Sequence, residues 1–216
     1  MKELIIAMLL FLSTFLIKAQ ATYDTMMEKS VSKLNYLVSV EELDSLTLNF
    51  EQIGVASEEK WLPYYYASYS QLMKGRKIIM EGKTSELDPI ADRAQKYLDQ
   101  ASRVERENAE LYILQKMIHV LRLMANPMER FQTERALGNE SLQKAIELSP
   151  NNPRVTLLEA QDLYFTPEEF GGSKIEARKL FERSIEQFST YLSPSKMTFY
   201  PKWGRAEAEY FLKLKP

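Results

Sequence analysis

The side chains of this sequence that can do bond-making chemistry are few. Its 216 residues include one histidine, His119, and no cysteine. Without thiols there is no disulfide, no thiolate metal site, no cysteine nucleophile and no lipid-bearing N-terminal cysteine. One imidazole among scattered carboxylates offers only weak sites for hard cations, so neither a metal nor a cofactor is expected. His119 lies inside the apolar helical run "AELYILQKMIHVLRLM", the setting of a hydrogen-bonded inter-helix histidine. No serine has the flanks of a nucleophile elbow. "FGGS", Phe170 to Ser173, lacks the G-K-[ST] ending of a phosphate loop and reads as a tight turn into a helix. The pairs Glu58–Glu59 and Glu168–Glu169 sit at helix starts, where they complement the helix dipole. As sequence neighbours they do not oppose each other as a glycosidase pair must. The expectation is a protein that binds and does not catalyse.

Binding chemistry is better represented. "WLPYYYASY", Trp61 to Tyr69, is the densest aromatic stretch. Net charge is −2 with both signs interspersed. No basic field exists to hold a phosphate backbone, which excludes a nucleic-acid partner.

The elements that must position these groups are helices. With seven glycines and an abundance of Leu, Ala, Glu and Lys, the composition favours helix over sheet. Apolar residues recur at helical spacing almost throughout, and no segment alternates at period two. Nine helices are expected, at about 23–39, 41–54, 59–74, 88–102, 108–124, 134–149, 153–165, 174–190 and 201–214. Asp88 and Pro89 read as N-cap and first position of the fourth. Ser173 and Glu176 form a capping box for the eighth.

The first residues are a separate object. "MKELIIAMLLFLSTFLIKAQA" has Lys2, an apolar run from Leu4 to Ile17, and small residues at Ala19 and Ala21. The run rises about 21 Å as a helix, short of a hydrocarbon core of roughly 30 Å. It reads as a secretory signal, residues 1–21, cleaved after Ala21. The domain, residues 22–216, is then periplasmic or secreted, with no stable membrane anchor.

Four helices share a spacing: Leu46, Phe50 and Ile53; Ala94, Leu98 and Ala101; Gly138, Leu142 and Ala145; Ala177, Phe181 and Ser184. The pattern resembles the second helix of a tetratricopeptide repeat, where small residues let paired helices approach and a large one fills the gap. Eight residues beyond the last small position, Trp61, Ala109 and Pro153 open the next units. "AIELSPNNPR", Ala145 to Arg154, is then a seam between units. The family's aromatic fourth position falls on Tyr64 and Tyr112 but on Thr156 in the last copy. Its small eighth position falls on Ser68 and Ala160 but on Lys116 in the middle copy. The turns inside the units carry 14, 10 and 5 residues more than the family's, and "KGRKIIMEGKTSEL", "NPMERFQTER" and "FTPEEFGG" should line one rim. The stretch Pro167-x-x-Phe170-Gly171-Gly172 is similar to one found in exported bacterial proteins of this type.

The resemblance implies an all-α fold: a right-handed α-solenoid of antiparallel helix hairpins, about four units plus a C-terminal capping helix. In the cap, Tyr200, Trp203, Tyr210 and Phe211 would pack, while Lys202, Arg205, Glu207 and Glu209 stay wet. It also implies a concave groove lined by Leu62, Tyr65, Tyr69, Glu110, Ile113, Met117, Arg154, Leu157, Gln161 and Tyr164; the alternative for the tyrosines is a core position packed on the N-terminal helices. Such a groove suits a segment of another protein or peptide, giving a non-enzymatic interaction scaffold of the bacterial cell envelope. The alternative is an accessory protein that binds carbohydrate or a small ligand through the tyrosine cluster.

Overall fold

The computed structural model describes residues 20–34, 38–57 and 60–214. The apolar run of the expected signal, and Glu58 and Glu59, lie outside the described residues. Among the described residues nine α-helices follow one another: α1 (residues 20–31), α2 (Val40–Val55), α3 (Leu62–Met80), α4 (Leu87–Val104), α5 (Ala109–Ala125), α6 (Pro127–Leu148), α7 (Pro153–Phe165), α8 (Lys174–Thr190) and α9 (Arg205–Lys213). Short 3-10 turns precede α4 (Thr84–Glu86) and α8 (Glu168–Phe170). No strand occurs among the described residues, and none of their helices is long and apolar enough to cross a membrane.

Local chemistry explains most of the boundaries. The Ser39 hydroxyl accepts from the Glu42 amide, and the Glu42 carboxylate accepts from the Ser39 amide, closing a capping box on α2. Asn108 caps α5 and Asn152 caps α7, where Pro153 takes the first helical position. Ser173 caps α8 through the Glu176 amide. The seam from Ala145 to Arg154 is thus a helix stop, a turn and a capped start.

Several boundaries moved: α1 ends at residue 31 instead of 39, where Ser39 caps α2, and α9 begins at Arg205 instead of 201. α3 runs six residues past the expected end at 74, and α6 begins at Pro127 instead of 134. Both expected inserts are largely helix, because Ile78 finds a buried place and Pro127 suits a helix start. Asp88 is not the cap of α4, since the 3-10 turn runs straight into that helix. Its carboxylate instead receives a forked pair of bonds from Arg130, at 2.5 and 3.0 Å. Phe131, on the second insert, touches Phe170 on the third, at 5.8 Å between centroids.

Consecutive helices pack pairwise from α2 to α6 and from α7 to α9, and α3 also lies on α5. The expected small residues sit at these contacts: Ser68, Ala94, Ala101, Ala145, Ala160, Ala177 and Ser184 are all fully buried. At the middle unit, where Lys116 replaces a small residue, Gly138 opposes it. A Cβ there would meet the Lys116 chain at 3.1 Å. The lysine stem packs where the glycine leaves room, and its ammonium reaches Asp162 at 2.8 Å.

Two apolar clusters result. The larger runs from α1 to α7 and includes Phe199 and Tyr200. The smaller joins Leu157, Ala160, Ala177, Phe181, Ala208 and Phe211, and Trp203 touches both.

Candidate ligand-binding faces

The face expected to form an open groove is closed. Leu62, Tyr65, Tyr69, Glu110, Ile113, Met117, Arg154 and Leu157 are buried, and Gln161 and Tyr164 are half-buried. What closes it is the chain's own C-terminal segment, residues 198 to 211. The segment enters beside α1, where Tyr23 meets Phe199 edge to face at 5.7 Å and Thr198 donates to Glu28. Tyr66 donates to the Phe199 carbonyl at 2.7 Å. Trp203 stacks on Tyr69 at 4.7 Å and donates its indole N–H to the Tyr65 hydroxyl at 2.7 Å. Arg76 and Gln161 both donate to Glu207 Oε1. Phe211 stacks on Phe181 at 4.7 Å with nearly parallel rings. The tail therefore spans α1, α3, α7 and α8 instead of merely capping the end. Glu207, expected on the wet side, is buried, and Tyr210, expected to pack, is exposed.

Beneath the segment lies a polar knot. Arg154 and Glu110 are each 1 % exposed and form a two-pronged ion pair, with bonds from 2.5 to 3.1 Å. Asn152 donates to Glu110 Oε1 at 2.7 Å and Tyr65 to Oε2 at 3.3 Å. The Arg154 guanidinium also faces the rings of Trp203 and Tyr191 at 5.8 and 5.7 Å. Burial works against charge on Arg154, but the Glu110 carboxylate outweighs it and holds its pKa above the ordinary value. Burial first, then Glu110, pushes the Tyr65 phenol well up. Burial likewise raises Tyr66, and raises Tyr200 to about 12. Every strong acceptor in the knot is met from within the chain.

One glycine makes the covering possible. Gly204 has φ +113°, and a Cβ there would stand 2.7 Å from Phe188 Cζ and 3.0 Å from Leu157 Cδ2. Sequence reading missed this segment as a cover. The signal was "FYPKWG", Phe199 to Gly204: aromatics that match an aromatic face, next to a residue able to take positive φ.

The other singled-out residues are structural. His119 bridges helices, with Nδ1 2.7 Å from Glu134 Oε2 and Nε2 3.1 Å from Gln115. Gln115 in turn exchanges amide bonds with Gln95 at 2.9 Å. Gly171 takes φ +90°, and a Cβ on Gly172 would overlap the Thr166 carbonyl. "FGGS" is a turn that only glycine fits. Among the described residues, no three His, Cys, Asp or Glu side chains gather as a metal site.

A second face has no described segment across it. Between α1 and α2 lies a cleft of about 800 Å³, within the size range of small-molecule sites. One wall carries Met26, Lys29 and Ser30 from α1, with Ser32 and Lys33 from the turn that ends it. The other carries Glu42, Ser45, Leu46 and Asn49, one helical stripe of α2. Asn49 donates to the Ser30 hydroxyl at 2.6 Å and ties the walls together. This cleft was not among the sequence-expected sites. The hint was a polar stripe at helical spacing on two adjacent helices.

The architecture is that of an all-helical protein of packed hairpins, without strands among its described residues. No protein-family model matches the chain, and no curated protein does. A solved structure, described as the HusA haemophore from Porphyromonas gingivalis, is similar: 31 % identical, TM-score 0.75, with 88 % of this chain and 90 % of that one covered. At that identity, over nearly the whole of both chains, this chain belongs to the family of that haemophore.

Proposed function

We propose that the protein is an exported, non-enzymatic carrier that binds a planar macrocycle of the haem class. The observation that carries this reading is the 31 % identity with a haemophore across 88 % of the chain. The leader-like N-terminus accords with a place in the periplasm or outside the cell. The hairpins with small residues at their seams accord with a tetratricopeptide-like right-handed solenoid of about four units. Titrating haemin into the exported chain tests the reading. A saturable shift of the porphyrin absorption band, with a dissociation constant of about 1 μM or below, is the expected result. A spectrum that stays that of free haemin at every ratio overturns it.

A second reading, a scaffold for another protein's peptide, has one observation in its favour. The concave face already accommodates a peptide segment, its own, through aromatic stacking and side-chain bonds to Phe199 and Glu207. A partner would have to displace residues 198 to 211. A carbohydrate site on the tyrosine cluster is less well supported, because Tyr65, Tyr66 and Tyr69 are buried.

A further inference from the structure

We propose that the aromatic end of the helix stack, where α7 and α9 meet, is the ligand face. There Phe165 and Tyr210 give a flat macrocycle its stacking surface, and Lys174 takes a carboxylate at its edge. The assignment rests on the haem-class reading above and deepens it by naming the place. A haem-class ring has two flat apolar faces and two carboxylates on one edge. It needs exposed rings to stack on, and a cation within reach that no carboxylate of the protein already holds.

Most aromatic surface of this chain is spent on its own packing. Among the described residues only Phe165, Phe170 and Tyr210 are exposed aromatic side chains, at 68, 58 and 56 %. Phe165 and Tyr210 share a neighbour. Phe165, the last residue of α7, meets Phe211 at 5.6 Å between centroids and 82° between planes. Tyr210, on α9, meets the same ring at 5.8 Å and 72°. Tyr164 adds edge contacts to Phe165 and Phe211, each at 5.2 Å. Phe211 itself lies flat on the buried Phe181. Two exposed rings are thus held upright on a buried one, so little freedom is lost when a flat guest stacks on them. Phe170 differs, because its neighbour is Phe131, and the Arg135 guanidinium already covers that ring at 5.3 Å.

The cation stands at the margin of the same cluster. Lys174, the first residue of α8, is exposed, and its ammonium lies 5.7 Å from the Tyr164 ring. No carboxylate pairs with it among the described residues. The acids along these helices hold other cations: Asp162 holds Lys116, Glu176 holds Lys179 and Glu209 holds Arg205. Glu168 and Glu169 are exposed on the 3-10 turn past Pro167. Anchored apolar rings with an unclaimed ammonium beside them fit a flat anionic guest.

The test uses the full exported chain and two probes, haemin and protoporphyrin IX dimethyl ester, which keeps the ring but loses the acidic edge. In the Phe165→Ala/Tyr210→Ala variant, affinity for both probes should fall about tenfold or more, with helical circular dichroism like the parent's. Lys174→Glu places an acid in the first turn of α8, where the helix dipole tolerates it. It should weaken haemin severalfold and leave the ester's affinity like the parent's. Phe170→Ala should bind both probes as the parent does. Parent-like haemin affinity in the folded alanine pair overturns the assignment and leaves the haem-class reading standing. Should that pair fold poorly, Lys174→Glu carries the test alone, and parent-like haemin affinity there overturns the assignment. A parent chain that binds neither probe overturns the reading itself, and the assignment with it.

Discussion

The face over α3, α5 and α7 and the cleft between α1 and α2 are both helix-lined and of mixed polarity, yet one is covered by the chain's own tail and the other has no described residue across it. The concave face has a cover, residues 198 to 211, whose aromatics, buried carboxylate and glycine match it group for group. The cleft has lysines and serines at its mouth and no described segment across it. Lining composition does not decide whether a depression binds an outside ligand. The difference is whether a described segment of the chain itself lies across the depression.

The sharpest way to break this contrast is at the buried pair. Arg154→Ala leaves Glu110 charged and unpaired beneath Trp203, and should cost about 3–5 kcal/mol in urea unfolding. Replacing both partners with apolar residues, Arg154→Met with Glu110→Leu, should recover much of that loss. A loss under about 1 kcal/mol for Arg154→Ala means that the closed face is not what ties the hairpins together. Next in size is Gly204→Ala, which combines a strained φ with a clash against Phe188. A loss of about 1–3 kcal/mol is expected, read as a lower melting midpoint.

Alkaline pH should act on the closed face through its phenols. Burial raises Tyr65, Tyr66 and Tyr200 above the ordinary value, to about 12 for Tyr200. The unfolded chain loses those protons first, from about pH 10. Stability is therefore complete below that pH and declines as pH rises towards 12. Tyrosinate absorbance should appear together with unfolding, and ionisation of all the tyrosines at about pH 10 in a still folded chain contradicts the burial. The smallest effect is expected at the cleft. Lys29→Ala and Lys33→Ala should each shift stability by no more than about 0.5 kcal/mol, since these exposed side chains sit at the rim. A large loss at either would mean that the cleft is a structural joint.

Much of the fold was legible in the sequence, for local reasons. Ser173 was read as the start of the eighth helix, and it caps α8, because a side-chain oxygen next to the first free amides is favourable wherever it occurs. Ala94, Ala101, Ala145, Ala177 and Ser184 mark close approaches because their spacing is the helix's own. Lys116 departed from the pattern, and Gly138 absorbed the departure. Asp88 was misread as a cap because Arg130, which claims its carboxylate, is 42 residues away. The groove residues were read as sharing a face, and Tyr65, Glu110 and Arg154 do meet. Their closure was invisible because it depends on residues from Phe199 onwards folding back across three units.

By itself the sequence determined that this chain is helical and where most of its helices lie, since those follow from neighbours along the chain and from composition. The tertiary structure alone decided which depression the chain's own tail covers. That depends on long-range pairings, Trp203 with Tyr65 and Tyr69, Glu207 with Arg76 and Gln161, whose partners no local periodicity connects.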